Sequence, residues 1–103
     1  MKDNTKYNSG CPGIGLDVAK WLIAKEVALT GADTWPVEVV PNPNKELAFV
    51  VHNELITKHG VYLHENLDFA EVLRDKLYEF VYVFSPLRIK GGTGSPGHPI
   101  AIG

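Results

Sequence analysis

The chain is expected to fold as a mixed α and β protein of the α+β class, and three features of its sequence carry that expectation. Apolar residues recur at spacings of three and four in separate stretches, the signature of helices with one buried face. Other apolar runs are short, rich in β-branched and aromatic residues, and alternate as strands do. Glycine and proline clusters stand between the two kinds.

The length of 103 residues allows one domain at most, residues 1–103. A chain of this size buries only about 60–70% of the surface its unfolded form exposes, so a deep cavity would use much of its interior. Ten basic and twelve acidic residues leave a formal charge of −2, with no basic run. Phosphate backbones are bound by clustered Lys and Arg, so nucleic acid is not an expected partner. No stretch approaches the roughly 20 apolar residues of a membrane span. The polar start, MKDNTKYNSG, has no apolar segment of signal-peptide length. The single cysteine, Cys11, has no partner for an internal disulfide, which suits a reducing compartment, and the cytoplasm is the expected location.

Taken in order, residues 1–11 read as an arm that ends in the turn-rich Ser9-Gly10-Cys11-Pro12-Gly13. A helix follows from Gly15, with Asp17 as its cap and Val18, Trp21, Leu22 and Lys25 at helical spacing. Val27–Thr30 is short, apolar and lacks a polar helical face, so it is assigned as a buried strand ending at Gly31. Val37–Val40 forms a brief extended piece. Pro41-Asn42-Pro43-Asn44 then holds off any helix until a second one spans Lys45 to His59, with Leu47, Val51, Leu55 and Lys58 on one stripe. Gly60 stands where a left-handed C-terminal cap belongs. Val61–Glu65 reads as the strand leaving that cap. Asp68 opens a short helix from Phe69 to Leu77. Tyr78–Phe84 is apolar on both faces, which predicts a central strand. Leu87–Lys90 alternates like a half-exposed strand, Gly91–Pro99 is an irregular turn, and Ile100–Ile102 adds a last strand.

Chemistry-bearing residues concentrate in Val51–Leu67, VHNELITKHGVYLHENL, where His52, His59 and His64 accompany Glu54 and Glu65. In a helix, His52 and His59 lie about 10 Å apart along the axis, too far to share one ion at ~2 Å each. His59 adjoins the capping glycine, where a cationic ring favours a helix end, and its role is read as structural. Strand alternation puts Val61, Leu63 and Glu65 on one face and Tyr62, His64 and Asn66 on the other. A carboxylate on the apolar face is costly unless paired or bound to a metal. Glu65 is therefore either such a group or a strand-end carboxylate reaching solvent. The late GGTGSPG is not GxxxxGK[ST], and its Ser95 and His98 lack an acidic orienter, so that segment reads as a turn.

Four segments together resemble a known family: PGIGLDVAKWL (Pro12–Leu22), GADTW (Gly31–Trp35), ELITKHGVYLHENLD (Glu54–Asp68) and SPLRIKGGTGSPGHPIAI (Ser85–Ile102). They are similar to the C-terminal part of the putative cyclase family, the metal-dependent hydrolases that include kynurenine formamidase and isatin hydrolase. The resemblance implies a partial swivelling β/β/α fold, often dimeric. It also implies hydrolysis of arylformamide or cyclic amide bonds by water activated on Zn²⁺ or Mn²⁺. The family's main metal motif, HxGTHxDxxxH, belongs to an N-terminal half with no counterpart in this sequence. The chain thus looks like a C-terminal half beginning at its own Met1. By the resemblance, Glu65 is the strand ligand of the metal, and the helix ligand falls on Asn53 or on the adjacent His52. Residues one apart on a helix differ by about 100°, so only one of those two faces the centre.

Two expectations follow. A catalytic zinc usually takes three protein ligands, and at most two remain here, so no cofactor is expected in the isolated chain. The preferred reading is a truncated, non-catalytic protein that acts as an oligomeric binding or assembly module. Half a sheet leaves strand edges and apolar faces that a homodimer or higher homo-oligomer would cover. The alternative is a metal-dependent amide hydrolase completed in trans by a complementary N-terminal half. Either reading leaves room for a small-molecule ligand.

Overall fold

The computed structural model describes residues 3–103, and the class is mixed α+β, as the sequence predicts. The chain divides into two compact units, Met1–Asp68 and Phe69–Gly103.

In the first unit the predicted arm is partly helical. Asp3 caps a short helix α1 (Asn4–Asn8) by accepting from the Lys6 N–H at 3.0 Å. The next helix, α2 (Leu16–Ala24), starts two residues earlier than an Asp17 cap would allow. Gly15 is its cap, and Asp17 lies in the first turn, where a carboxylate suits the helix dipole. Of the Val27–Thr30 run only Leu29 and Thr30 join a strand, β1 (Leu29–Gly31), and these two are half-buried rather than buried.

The second helix is much shorter at its start than expected, beginning as α3 (Val50–His52) rather than at Lys45. The two asparagines explain the delay. Asn42 Oδ1 accepts from the Asn44 N–H at 2.9 Å, and Asn44 Oδ1 accepts from the Glu46 N–H at 3.0 Å. These side-chain bonds offer the backbone an alternative to helix. After His52 the coil widens into π-helical turns over Asn53–Lys58. Gly60 has φ +67, the left-handed cap that the sequence predicts. The chain then enters β2 (Tyr62–His64), which pairs in parallel with β1 in the register Leu29↔Tyr62, Thr30↔Leu63 and Gly31↔His64.

This β1–α3–β2 crossover encloses the core. Ala19, Val51, Leu55 and Val61 are buried together, with Ile14, Ile23, Val50 and Leu63 packed around them. The loop before α2 closes the other side, since Cys11 pairs with Val40 and Ile14 with Glu38 in isolated bridges. Gly13 permits that approach, because a Cβ there would stand 2.4 Å from the Val37 carbonyl oxygen. Gly13→Ala is therefore expected to destabilise the chain by about 1–3 kcal/mol, the usual range for overpacking, measurable as a lower urea midpoint.

The second unit departs furthest from expectation. The Phe69–Leu77 helix contracts to α4 (Ala70–Arg74), and Lys76 takes φ 53, a left-handed value that stops it. Tyr78–Phe84 is not a central strand. Only β3 (Val81–Val83) forms, paired antiparallel with β4 (Ile100–Ile102) in a two-stranded ribbon. A two-sided apolar pattern fits a central strand and an unpartnered one equally well, and pairing decides between them. Leu87–Lys90 forms turns instead of a strand, with Ile89 N–H donating to the Leu87 carbonyl at 3.1 Å.

Candidate functional site

The carboxylate of greatest interest is Glu38, which follows the left-handed Val37, forms an isolated bridge with Ile14 and is 1% exposed. A buried carboxylate is tolerated only when its lone pairs are filled. Glu38 fills them at the start of α3. Its Oε2 accepts from the His52 backbone N–H at 2.9 Å, and Oε1 faces the Val51 N–H at 3.5 Å. Those N–H groups belong to the first turn of a helix and have no partner within it. Glu38 thus supplies from another segment the cap that Phe49 cannot supply itself.

The same Oε2 lies 2.6 Å from His52 Nδ1. An ionised carboxylate can only accept, so the hydrogen is assigned to Nδ1 and the ring is fixed in orientation. The opposite nitrogen, Nε2, stands 3.2 Å from Glu65 Oε1. The result is a string, Glu38–His52–Glu65, that runs from the interior to the surface. Side-chain exposure rises along it from 1% at Glu38 through 27% at His52 to 39% at Glu65. A neutral ring offers its Nε2 lone pair outward, whereas a charged ring donates to both carboxylates.

Three backbone irregularities flank the string. Val37, Phe49 and Asn66 have φ of 55, 51 and 56, left-handed values that are uncommon outside glycine and rare for a β-branched residue. Each such residue costs on the order of 1–3 kcal/mol and persists where surrounding structure holds it. The π-helical turns begin immediately after His52, and such turns occur frequently at functional sites. Phe49 stands edge-on to the His52 ring at 5.4 Å, and Trp35 lies 6.2 Å beyond Phe49. Among the described residues, Thr34 Oγ1 and Trp35 Nε1 are buried polar atoms with no hydrogen-bond partner. Both belong to the loop that holds Asn66, whose N–H donates to the Thr34 carbonyl at 3.0 Å.

Of the three residues that the sequence nominates, the structure brings His52 and Glu65 together and leaves the adjacent Asn53 exposed. Glu65 combines its two sequence readings, since it reaches solvent and is also paired. His59 Nδ1 lies 2.9 Å from the Glu54 carbonyl at the helix end. Beside it the Lys58 ammonium, 2.7 Å from Glu54, holds that carboxyl below the usual range. Ser95 also serves its turn, accepting from the Leu87 N–H at 2.8 Å and donating to the Pro96 carbonyl at 2.7 Å. Glu38 was not nominated. Its signal was available, because a lone carboxylate between Val37 and Val39 is costly on the same grounds as Glu65.

The pair fits a divalent metal as two positions of a ligand shell. A carboxylate on the far ring nitrogen is the usual support of a metal-bound histidine. Two ligands of a tetrahedral ion with bonds of about 2.0–2.2 Å stand about 3.3–3.6 Å apart, slightly wider than the 3.2 Å between Nε2 and Oε1. Among the described residues, no group of three or more His, Cys, Asp or Glu side chains could hold an ion. Nor is any helix among them long and apolar enough to cross a membrane. Set against family models, curated proteins and solved structures, the chain matches none.

Proposed function

We propose that this chain is an oligomeric binding module with a cyclase-like half-fold, and that its centre is the two-donor site of His52 Nε2 and Glu65. One observation carries the reading: a buried carboxylate fixes one nitrogen of an imidazole whose other nitrogen faces a second carboxylate at the surface. The family resemblance implies a helix ligand and a glutamate on the following strand at one centre, and the proximity of His52 to Glu65 supports it. The unpartnered Trp35 Nε1 and Thr34 Oγ1 support a small-molecule ligand that carries hydrogen-bond acceptors. With two donors the centre holds a cation loosely, and the lone chain is not catalytic. Its own residues present a lone pair and a negative charge side by side, and Glu38 prevents the ring from turning away.

The second reading is an amide hydrolase formed when a partner carrying HxGTHxD completes the ligand shell, and the Glu38–His52 support favours it. A bound Zn²⁺ or Mn²⁺ would lower the pKa of a water and polarise a carbonyl. Metal analysis of the purified chain decides between the readings, followed by an assay on N-formylkynurenine and isatin with Zn²⁺ and Mn²⁺ added. After dialysis the expected result is well under one metal per chain and no turnover. Residual zinc uptake should disappear in both His52→Ala and Glu65→Gln. Stoichiometric metal with turnover in the lone chain would overturn the module reading. Uptake unchanged in both variants would remove the site.

A further inference from the structure

The N-terminal arm is held at its base and near its tip. At the base the Cys11 N–H donates to the Val40 carbonyl at 2.7 Å, and the Val40 N–H donates back to the Cys11 carbonyl at 3.1 Å. Ahead of that base stands α1, five residues long, none of them buried. An isolated helix needs about 12–15 residues to persist in water, so α1 depends on what it touches. Tyr7 is its one half-buried residue; Asn4, Thr5, Lys6 and Asn8 are exposed. The Tyr7 hydroxyl donates to Asn66 Oδ1, 59 positions further along the chain.

Asn66 directly follows Glu65, and the two share a peptide group. Three bonds fix the corner they form. The Asn66 N–H donates to the Thr34 carbonyl at 3.0 Å, the Leu67 N–H donates to the Ala32 carbonyl at 3.0 Å, and the third bond is the one from Tyr7. The corner is left-handed, with φ 56 at Asn66. Asparagine adopts that conformation more readily than most residues, but it still needs support from its surroundings.

The orientation of this corner decides where Glu65 points. Glu65 is 39% exposed, so water competes for its carboxylate. Its 3.2 Å separation from His52 Nε2 is at the long end of hydrogen-bond range. A displacement of about 0.4 Å would take the pair beyond that range. We propose that Tyr7 is a positioning residue for the His52–Glu65 centre: its hydroxyl holds Asn66 and, through the shared backbone, keeps the Glu65 carboxylate against His52 Nε2. The inference rests on the two-donor reading above and names what aligns it.

The test follows the His52 Nε2 nitrogen by NMR in the full chain at one fixed pH, together with zinc titration of the dialysed chain. Glu65→Gln gives the signal of a ring without its carboxylate neighbour. Tyr7→Phe removes the hydroxyl and keeps the ring. Asn66→Gly removes the acceptor and keeps the left-handed corner accessible. Both variants should move the nitrogen signal toward the Glu65→Gln value and weaken zinc uptake by about 2–10-fold, the worth of one hydrogen bond. The double variant should be no weaker than either single one, since both remove the same bond. Thr5→Ala, at an exposed residue of the same helix, should leave signal and uptake native. A nitrogen signal that stays native in Tyr7→Phe overturns the positioning role, even where zinc uptake or the urea midpoint falls. A signal that Glu65→Gln itself leaves unmoved overturns the two-donor reading as well.

Discussion

Glu38→Ala is expected to lower the free energy of unfolding by about 3 kcal/mol, a large share of the 5–15 kcal/mol that holds a small domain folded. The cost comes from donors left unfilled rather than from packing. Without the carboxylate, the His52 and Val51 N–H groups and His52 Nδ1–H lose their acceptor together. Each buried orphan costs about 1–3 kcal/mol, reduced where water enters the vacated space. Glu38→Gln should cost less, about 1–2 kcal/mol, because one amide oxygen still accepts while the amide nitrogen opposes a donor. His52→Ala removes one of three donors and leaves Glu38 its backbone partners. Urea unfolding of the two single alanine variants and the double variant measures the pairing directly. A coupling energy of about 1–2 kcal/mol is expected. Additivity within about 0.5 kcal/mol would show that Glu38 acts only as a helix cap and does not hold the ring.

That ring is where sequence and structure meet most closely. Glu65 was legible because strand alternation puts a carboxylate on an apolar face, whereas His52 entered, beside Asn53, only as what the family resemblance implies. Gly60 takes the left-handed conformation, and the parallel pairing of β2 with β1 then returns Glu65 beside the start of the helix. Asn53 stayed a candidate because a sequence gives the angular order of residues on a helix but not its absolute rotation. Packing of Val51 and Leu55 into the core fixes that rotation and leaves Asn53 outside. Glu38 was missed for another reason. It reaches the site through a bridge between Ile14 and Glu38 and a cap at Val51, contacts with no local periodicity. The late start of α3 and the short β3 have the same origin. Asparagine side chains took backbone donors that a helix would have used, and Tyr78–Phe84 has too little partner strand to pair along its length.

Leu55→Ala should prove as costly as the loss of Glu38, or more so, at about 2–5 kcal/mol. Leu55 is fully buried and is the largest of the fully buried side chains. Its buried neighbours are small: Ala19, Val51 and Val61. Small neighbours cannot swing into the space, so the cavity persists and the cost falls in the upper part of the range. Leu73→Ala makes the control, because Leu73 also sits at helical spacing but is 63% exposed. It should change stability by no more than about 0.5 kcal/mol. The Leu55 variant carries a second expectation that links core to site. Leu55 lies one turn beyond His52, and its carbonyl accepts from the Val61 N–H at 2.9 Å, on the path from the helix to the strand that carries Glu65. Loss of its packing should loosen that path before the chain unfolds. Amide hydrogen exchange at Val61 should then speed up by more than exchange at Leu22 in α2, beyond the change set by global stability. Equal acceleration at both amides would mean that the core holds the chain together without aligning the Glu38–His52–Glu65 string.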